Sequence, residues 1–236
     1  MKNKLIGLDK GFWWKNPRGG KVVADPSQID PSNIVMLFDG EKDLTTATWK
    51  EQITGDSMTL YNSPTISTLN NYPTVVFNGV DEYGKITTPV VARLNTTLYV
   101  VMNMVNYVFN KRIFDDGITN GYLTLRQIGT MDVLTSGNNL PLPKNLSNNK
   151  WVVMAIRIRS TAPNGVIKIY EDGVIYTKTG VLSITAVNLS GMTIGAEATA
   201  SGKANSAFAY IMRRKVADDE TTMDEIITEC ANRFAI

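Results

Sequence analysis

The stretch that most constrains this fold is residues 97–109, Thr-Leu-Tyr-Val-Val-Met-Asn-Met-Val-Asn-Tyr-Val-Phe. Side chains alternate between faces along a β-strand. Leu98, Val100, Met102 and Met104 therefore share one face, and Tyr99, Val101, Asn103, Val105 and Tyr107 share the other. The first set is wholly apolar and the second is mixed. The β-branched and aromatic content favours a strand over a helix of the same length. A strand with one apolar face requires a second layer to bury it. The same alternation returns in residues 151–159, where Val152, Met154, Ile156 and Ile158 point inward and Ala155, Arg157 and Arg159 outward.

Shorter runs of the same kind fill the rest of the chain. Residues 34–38, 57–61, 74–77, 82–86, 122–128, 131–134, 166–170, 174–177, 192–194 and 208–212 read as strands, bounded by Gly, Asn and Pro. Asn78-Gly79 is a strong tight-turn signal of the kind that joins hairpins. Hairpins are expected around Gly129-Thr130 and between residues 151–159 and 166–170. Residues 43–55, around Trp49, and 136–149 read as loops. At residues 218–234 the period changes. Acidic residues crowd the start, and Met223, Ile226, Ile227, Cys230 and Phe234 recur at helical spacing. Ten to twelve short strands and one terminal helix specify an all-β, two-sheet antiparallel β-sandwich with one short C-terminal helix. A chain of 236 residues suits one such domain, and its 43% hydrophobic content is enough for a substantial core.

Residues 1–32 lack this periodicity and carry frequent breakers, which marks an irregular arm ahead of a sandwich at 33–236. Phe12, Trp13 and Trp14 are too apolar for a free tail. Two readings stay open: the arm folds back onto its own domain, or it anchors the chain to another subunit through these rigid aromatics.

Composition removes several function classes. Net charge is +2 from 24 basic and 22 acidic residues, so no global field draws the chain to nucleic acid or an anionic membrane. Histidine is absent, which excludes His-based triads and His-ligated zinc. The single cysteine, Cys230, allows no internal disulfide and reads as a small apolar helix residue. Residues 1–10 have no apolar leader region and no run of 18 apolar residues occurs, so neither export by a visible signal nor membrane spanning is expected. The sequons at Asn95, Asn145 and Asn188 read as chance matches in an Asn- and Thr-rich chain.

Four stretches carry a family likeness. They are Ile34-Val-Met-Leu-Phe-Asp-Gly40 with Thr48-Trp-Lys-Glu51; Val76-Phe-Asn-Gly-Val-Asp-Glu-Tyr83; Asn149-Lys-Trp151 with Ile169-Tyr-Glu-Asp-Gly173; and Ile194-Gly195 followed by residues 208–213 and the acidic helix. In this order the chain resembles the laminin-G-like branch of the concanavalin A-like lectin/glucanase superfamily. The resemblance implies a concanavalin A-like jelly roll that holds sugars or proteins rather than transforming them. It also implies a possible calcium ion on loop carboxylates, with Asp81, Glu82 and Asp116 as ligands and Asp39 as an alternative. The competing reading is that these are turn residues bonding their own backbone.

Glucanases of that superfamily use carboxylates from one strand, and retaining hydrolysis needs two carboxyl groups about 5–5.5 Å apart. Here the acids form adjacent pairs, Asp81-Glu82, Asp115-Asp116 and Glu171-Asp172, which point to opposite faces of a strand or sit in turns. No enzyme is expected. A sugar needs an aromatic platform and a few fixed polar groups. The outward residues Tyr99, Asn103, Tyr107, Arg126, Arg157, Lys168 and Tyr170 suit that role on a concave face. A solvated face, or one covered by the arm or by a partner, fits the same residues. The sequence thus points to a non-catalytic structural or adhesion component of a larger assembly held through residues 1–32; the resemblance, whose similar modules occur in phage fibres, tails and capsid surfaces, implies as its concrete form a bacteriophage virion protein able to bind host glycan. The alternative is a carbohydrate-binding module of a bacterial surface or secreted system. Self-association is open, and neither nucleic acid nor membrane is an expected partner.

Overall fold

The structure, a computed structural model, describes residues 30–87, 95–106, 111–115, 124–128, 130–134, 139–160, 165–182, 191–196 and 200–236. Among these, sixteen strands form two antiparallel sheets of eight. The first sheet runs in the order β14 (Val174–Gly180), β13 (Gly165–Glu171), β12 (Trp151–Ile158), β7 (Thr96–Asn106), β16 (Asn205–Arg214), β5 (Tyr72–Asn78) and β4 (Thr65–Leu69), with β1 (Ile34–Asp39) also paired to β16. The second runs β11 (Asn139–Pro141), β10 (Thr130–Leu134), β9 (Thr124–Ile128), β8 (Arg112–Asp115), β15 (Met192–Ile194), β6 (Tyr83–Ile86), β3 (Ser57–Tyr61) and β2 (Thr48–Lys50). One helix, α1 (Glu220–Phe234), closes the chain.

The alternation in β7 places its side chains as expected. Leu98, Val100, Met102 and Met104 lie between the sheets with Val152, Met154, Ile156 and Ile158 of β12, packed with Met58, Leu60, Ile86, Phe114 and Ile194 of the second sheet. Tyr99 and Val101 face the other way and are also buried, with Val153, Ala155 and Met212, against Met223, Ile226, Ile227, Cys230 and Phe234 of α1. The described residues therefore form three layers: sheet, sheet, helix. This explains why the second face of β7 is mixed rather than polar: a strand covered on both sides has no solvent face to mark. In β16 a register shift between Phe208 and Tyr210 puts Ala209 and Tyr210 on the helix side, and Ile211 returns to the inter-sheet core.

Two local expectations are corrected. Asn78-Gly79 does not close a hairpin, because β5 belongs to the first sheet and β6 to the second. The turn is a crossing between sheets: Gly79 has φ +73, and a Cβ there would lie 2.7 Å from the Asn205 nitrogen. Tight hairpins of this kind instead join β4 to β5, through Asn70 (φ 47) and Asn71 (φ 76), and β13 to β14, through Asp172 (φ 52) and Gly173 (φ 83). Positive φ at both central residues is the two-residue turn whose twist matches paired strands. The expected loop around Trp49 contains β2, where the buried indole donates from Nε1 to Asp39 O at 3.0 Å. The strand number exceeds ten to twelve because β2, β4, β8 and β11 are too short or too polar to show a period.

Candidate functional site

Three of the expected concave-face residues lie beneath α1. The helix starts at the N-cap Asp219, whose side chain accepts from Thr222 N at 2.8 Å. The residue before it, Asp218, is buried and collects the sheet's polar groups. Its Oδ2 accepts from the Tyr99 hydroxyl at 2.7 Å, its carbonyl oxygen accepts from Arg157 Nη1 at 3.0 Å, and its Oδ1 pairs with Arg214. Lys168 Nζ donates to Asp224 Oδ1 at 2.7 Å and to Glu220 O at 3.3 Å. Burial, then the adjacent Asp218 carboxylate, push the Tyr99 hydroxyl well above the ordinary phenol range. Burial, then Arg159, lower the Arg157 guanidinium from its usual value.

The expectation that Tyr99, Arg157 and Lys168 line an open concave face is corrected on this geometry. Each is at least 96% buried, because the apolar stripe of α1 takes this face for its own burial. The three polar groups then fix the start of the helix. The cover over these three residues is the chain's own C-terminal helix.

Asn103 and Tyr170 occupy the same face further along the strands. Asn103 sits directly across the β7–β12 pair from Trp151, and Tyr170 of β13 lies opposite Val153 and Ile175. Trp151, Tyr170 and Ile175 are half-buried and pack against the margin of the helix-side core. Asn103 is only 8% exposed, and its Oδ1 has no hydrogen-bond partner. A buried amide acceptor left unpaired costs about 1–3 kcal/mol. The exposed ion pair of Lys150 with Asp172, at 2.5 Å, belongs to the residues that flank Trp151 and Glu171 in the chain. These residues form a shelf of two aromatic rings beside a buried, unspent amide oxygen. An aromatic face with a fixed polar group is what a sugar ring with its hydroxyls requires.

The other expected residues that are described lie away from this shelf. Arg126 lies on β9, opposite Arg112 on β8, in the second sheet. Tyr107, Asp116, Phe12, Trp13 and Trp14 lie outside the described residues. The loop acids Asp81 and Glu82 bind their own turn. Asn78 Nδ2 donates to Asp81 Oδ1 at 2.8 Å, and Asn78 N donates to Glu82 Oε2 at 2.8 Å. Asn78 Oδ1 in turn accepts from the Val80 and Asp81 backbone. Asp39 is engaged by Arg233 at 2.7 Å. Among the described residues no group of three or more acids, cysteines or histidines is placed to hold an ion. Asp81 and Glu82 thus hold their own turn, and no step is derived through calcium.

Sequence reasoning missed an aromatic pair on the outer face of the second sheet. Tyr61 and Tyr83 stack across β3 and β6 with centroids 4.4 Å apart and planes at 9°. Lys203 Nζ lies 5.7 Å from the Tyr83 centroid. The alternation Ser57-Met-Thr-Leu-Tyr61 was the available signal, since it puts Tyr61 outward with Ser57 and Thr59.

No protein-family model matches this sequence, and neither does any curated protein. Solved structures do match its fold. Domain 4 of AbnA, a GH43 extracellular arabinanase from Geobacillus stearothermophilus, in complex with arabinotriose, superposes with a TM-score of 0.66 at 9% identity. That match covers 83% of this chain and 98% of the domain. The binding domain of Paraclostridial Mosquitocidal Protein 1 gives 0.62 at 11% identity, over 85% of this chain and 53% of that one. Trypanosoma rangeli sialidase gives 0.59 at 12% identity over 86% of this chain, which spans only 33% of the sialidase. At such identities the likeness establishes the β-sandwich fold.

Proposed function

We propose that this chain is a non-catalytic carbohydrate-binding module, with its site on the shelf formed by Asn103, Trp151 and Tyr170. The observation that carries the reading is the buried, unpartnered Asn103 Oδ1 across the strand pair from Trp151. A sugar ring stacked on Trp151 or Tyr170 would present hydroxyls, and one donated to Asn103 Oδ1 would satisfy it. Support comes from domain 4 of the arabinanase, matched over 98% of its length and solved with arabinotriose. The motif order that resembles the laminin-G-like branch is consistent with the same role. The non-catalytic reading is supported by the adjacent spacing of the acids and by neighbours that are domain 4 of an arabinanase and the binding domain of a mosquitocidal protein.

Such a module acts as an adhesive part of something larger. A bacteriophage virion is the assembly proposed, joined through residues 1–32 with Phe12, Trp13 and Trp14 as the anchor. Its support is the composition of the arm. Deleting residues 1–32 is expected to abolish assembly and spare glycan binding. The module itself is tested on a glycan array with the full chain, followed by titration of each hit against W151A and N103A. Loss of about tenfold or more in affinity for both variants is expected. A blank array, or hits unaffected by either substitution, would refute the assignment.

A further inference from the structure

Strand β14 is an edge of the first sheet among the described residues, paired on its inner side with β13 over its whole length. Its outer row of N–H and C=O groups meets no other described strand. Thr177, Lys178 and Thr179 are exposed in succession, so side chains on both faces of this edge reach solvent. Val174 and Val181, at its two ends, are 47% and 49% exposed. Proteins guard such edges with proline, bulges, charges or very short strands. This strand is seven residues long, has no proline, keeps an unbroken register with β13 and carries one lysine. A regular, exposed edge of that length is a template for one more strand.

The strand is also complementary to itself. Antiparallel pairing about Thr177 sets Thr177 opposite its own copy, Tyr176 opposite Lys178, Ile175 opposite Thr179 and Val174 opposite Gly180. Members of each pair are an even number of residues apart, so their side chains share a face. Threonine pairs and a lysine beside a tyrosine ring are favourable across strands, and no like charges are opposed. Lys144 already lies over the Tyr176 ring, 4.9 Å from its centroid, but Glu171 neutralises it at 2.9 Å. Moving the axis to Lys178 would oppose two lysines. Moving it to Tyr176 would leave Thr179 and Gly180 unpaired.

We propose that β14 is a dimerisation edge, to which a second copy of this chain adds its own β14 antiparallel about Thr177. The two first sheets then become one. The two-fold axis stands perpendicular to the joined sheet, so both copies turn the same face to the same side. On the reading of the chain as a glycan-binding module, two shelves then face one way, roughly 35 Å apart by strand spacing and rise. A polymer with repeated epitopes is held at both. Seven residues a side make a small interface, so a micromolar dissociation constant is expected.

Sedimentation velocity of the full chain over about 1–500 μM tests this, with a monomer–dimer equilibrium and nothing larger expected. T177K and T177E each oppose like charges at the axis and should each weaken the dimer about fivefold or more, at an unchanged melting temperature. Mixed in equal amounts, the two variants should pair with each other. A monomer at every concentration, a dimer indifferent to both variants, or growth beyond a dimer through pairing of β14 with β4 overturns the proposal. A monomeric chain whose glycan binding is lost in W151A would end the dimer and leave the shelf standing. A dimer with a blank glycan array would do the reverse.

Discussion

Arg233, in the last turn of α1, donates from Nη2 to Asp39 Oδ2 at 2.7 Å and so ties the end of the helix to the end of β1. The same nitrogen reaches Glu41 at 2.9 Å, and the guanidinium lies 5.5 Å from the Tyr72 and Tyr210 rings and 5.0 Å from Phe234. Arg233 joins elements nearly two hundred residues apart in the chain, in a position where Asp39 is only 4% exposed. Removing the cation leaves that carboxylate buried and unpaired. R233M is expected to destabilise the fold by about 3 kcal/mol, and R233M/D39N by less, since the stranded charge is then gone. Urea unfolding of the two variants checks this ordering.

The other end of the helix is held by Asp218. Y99F removes one hydrogen bond to a carboxylate that still pairs with Arg214, so a loss of about 1.5–3 kcal/mol is expected. D218A strips partners from Tyr99 and Arg214 at once and should cost more than Y99F. A Y99F/D218A double variant should cost about as much as D218A alone, because the hydroxyl's partner is already missing. Additive losses in denaturant unfolding would show that Tyr99 and Asp218 are not coupled.

How much of this was legible follows from the range of each interaction. The inward faces of β7 and β12 were readable because alternation is local. So was α1, from its acidic start and apolar spacing. The error over Tyr99, Arg157 and Lys168 was different in kind. Their outward direction was right, but what stood outside them was a helix more than fifty residues away. The period of a strand says which side a residue faces, not whether a third layer is there. Asn78-Gly79 failed for the same reason, since a turn signal does not say to which sheet the next strand belongs. Of the proposed shelf, Asn103 and Tyr170 stand among the residues that strand alternation offers as sugar contacts, whereas Trp151 enters the sequence only as part of a family motif.

Asn70 connects the β4–β5 hairpin to the helix end. Its Nδ2 donates to Phe234 O at 2.8 Å and to Ala235 O at 2.9 Å, satisfying carbonyls that α1 leaves open. N70G keeps the left-handed turn and loses only these bonds, so a cost of about 1 kcal/mol is expected. N70A loses the bonds but keeps a Cβ at φ 47, where alanine is disfavoured, so it is expected to cost about 1 kcal/mol more than N70G. Thermal melts of both separate the two contributions. Equal melting temperatures for N70G and the parent chain would remove the capping role.

Cys230 sets an alkaline limit. Burial, the dominant cause, pushes its thiol from 9.0 up to about 12. Tyr99 and Tyr210 are likewise raised well above 10.0, again mainly by burial. A raised folded value means that the folded state keeps its proton after the unfolded state has lost it. Stability is then full below the ordinary value and falls as pH rises, for each such group by up to about 1.4 kcal/mol per pH unit. The decline is expected to begin near pH 9.0 in the parent chain and near 10.0 in C230A. Urea midpoints at about pH 8, 9.5 and 11 would locate the onset. An unchanged onset in C230A would show that the thiol is not as buried as its contacts imply.

Asn103 offers the sharpest separation of fold from function. Asn103 pairs across the sheet with Trp151 on β12 and Ala207 on β16, and its buried Oδ1 bonds to nothing. In the free protein that oxygen is a net cost of about 1–3 kcal/mol. Leucine has similar volume and no polar atom to strand, so N103L is expected to stabilise the fold by about 1 kcal/mol. If the amide is kept for a ligand, the same substitution should remove binding of every array hit that depends on Trp151. Opposite signs for stability and affinity are what a functional residue produces. A structural residue would lose both together. Melting temperature and glycan titration on one preparation of N103L decide between the two, and a drop in both would reassign Asn103 to the core.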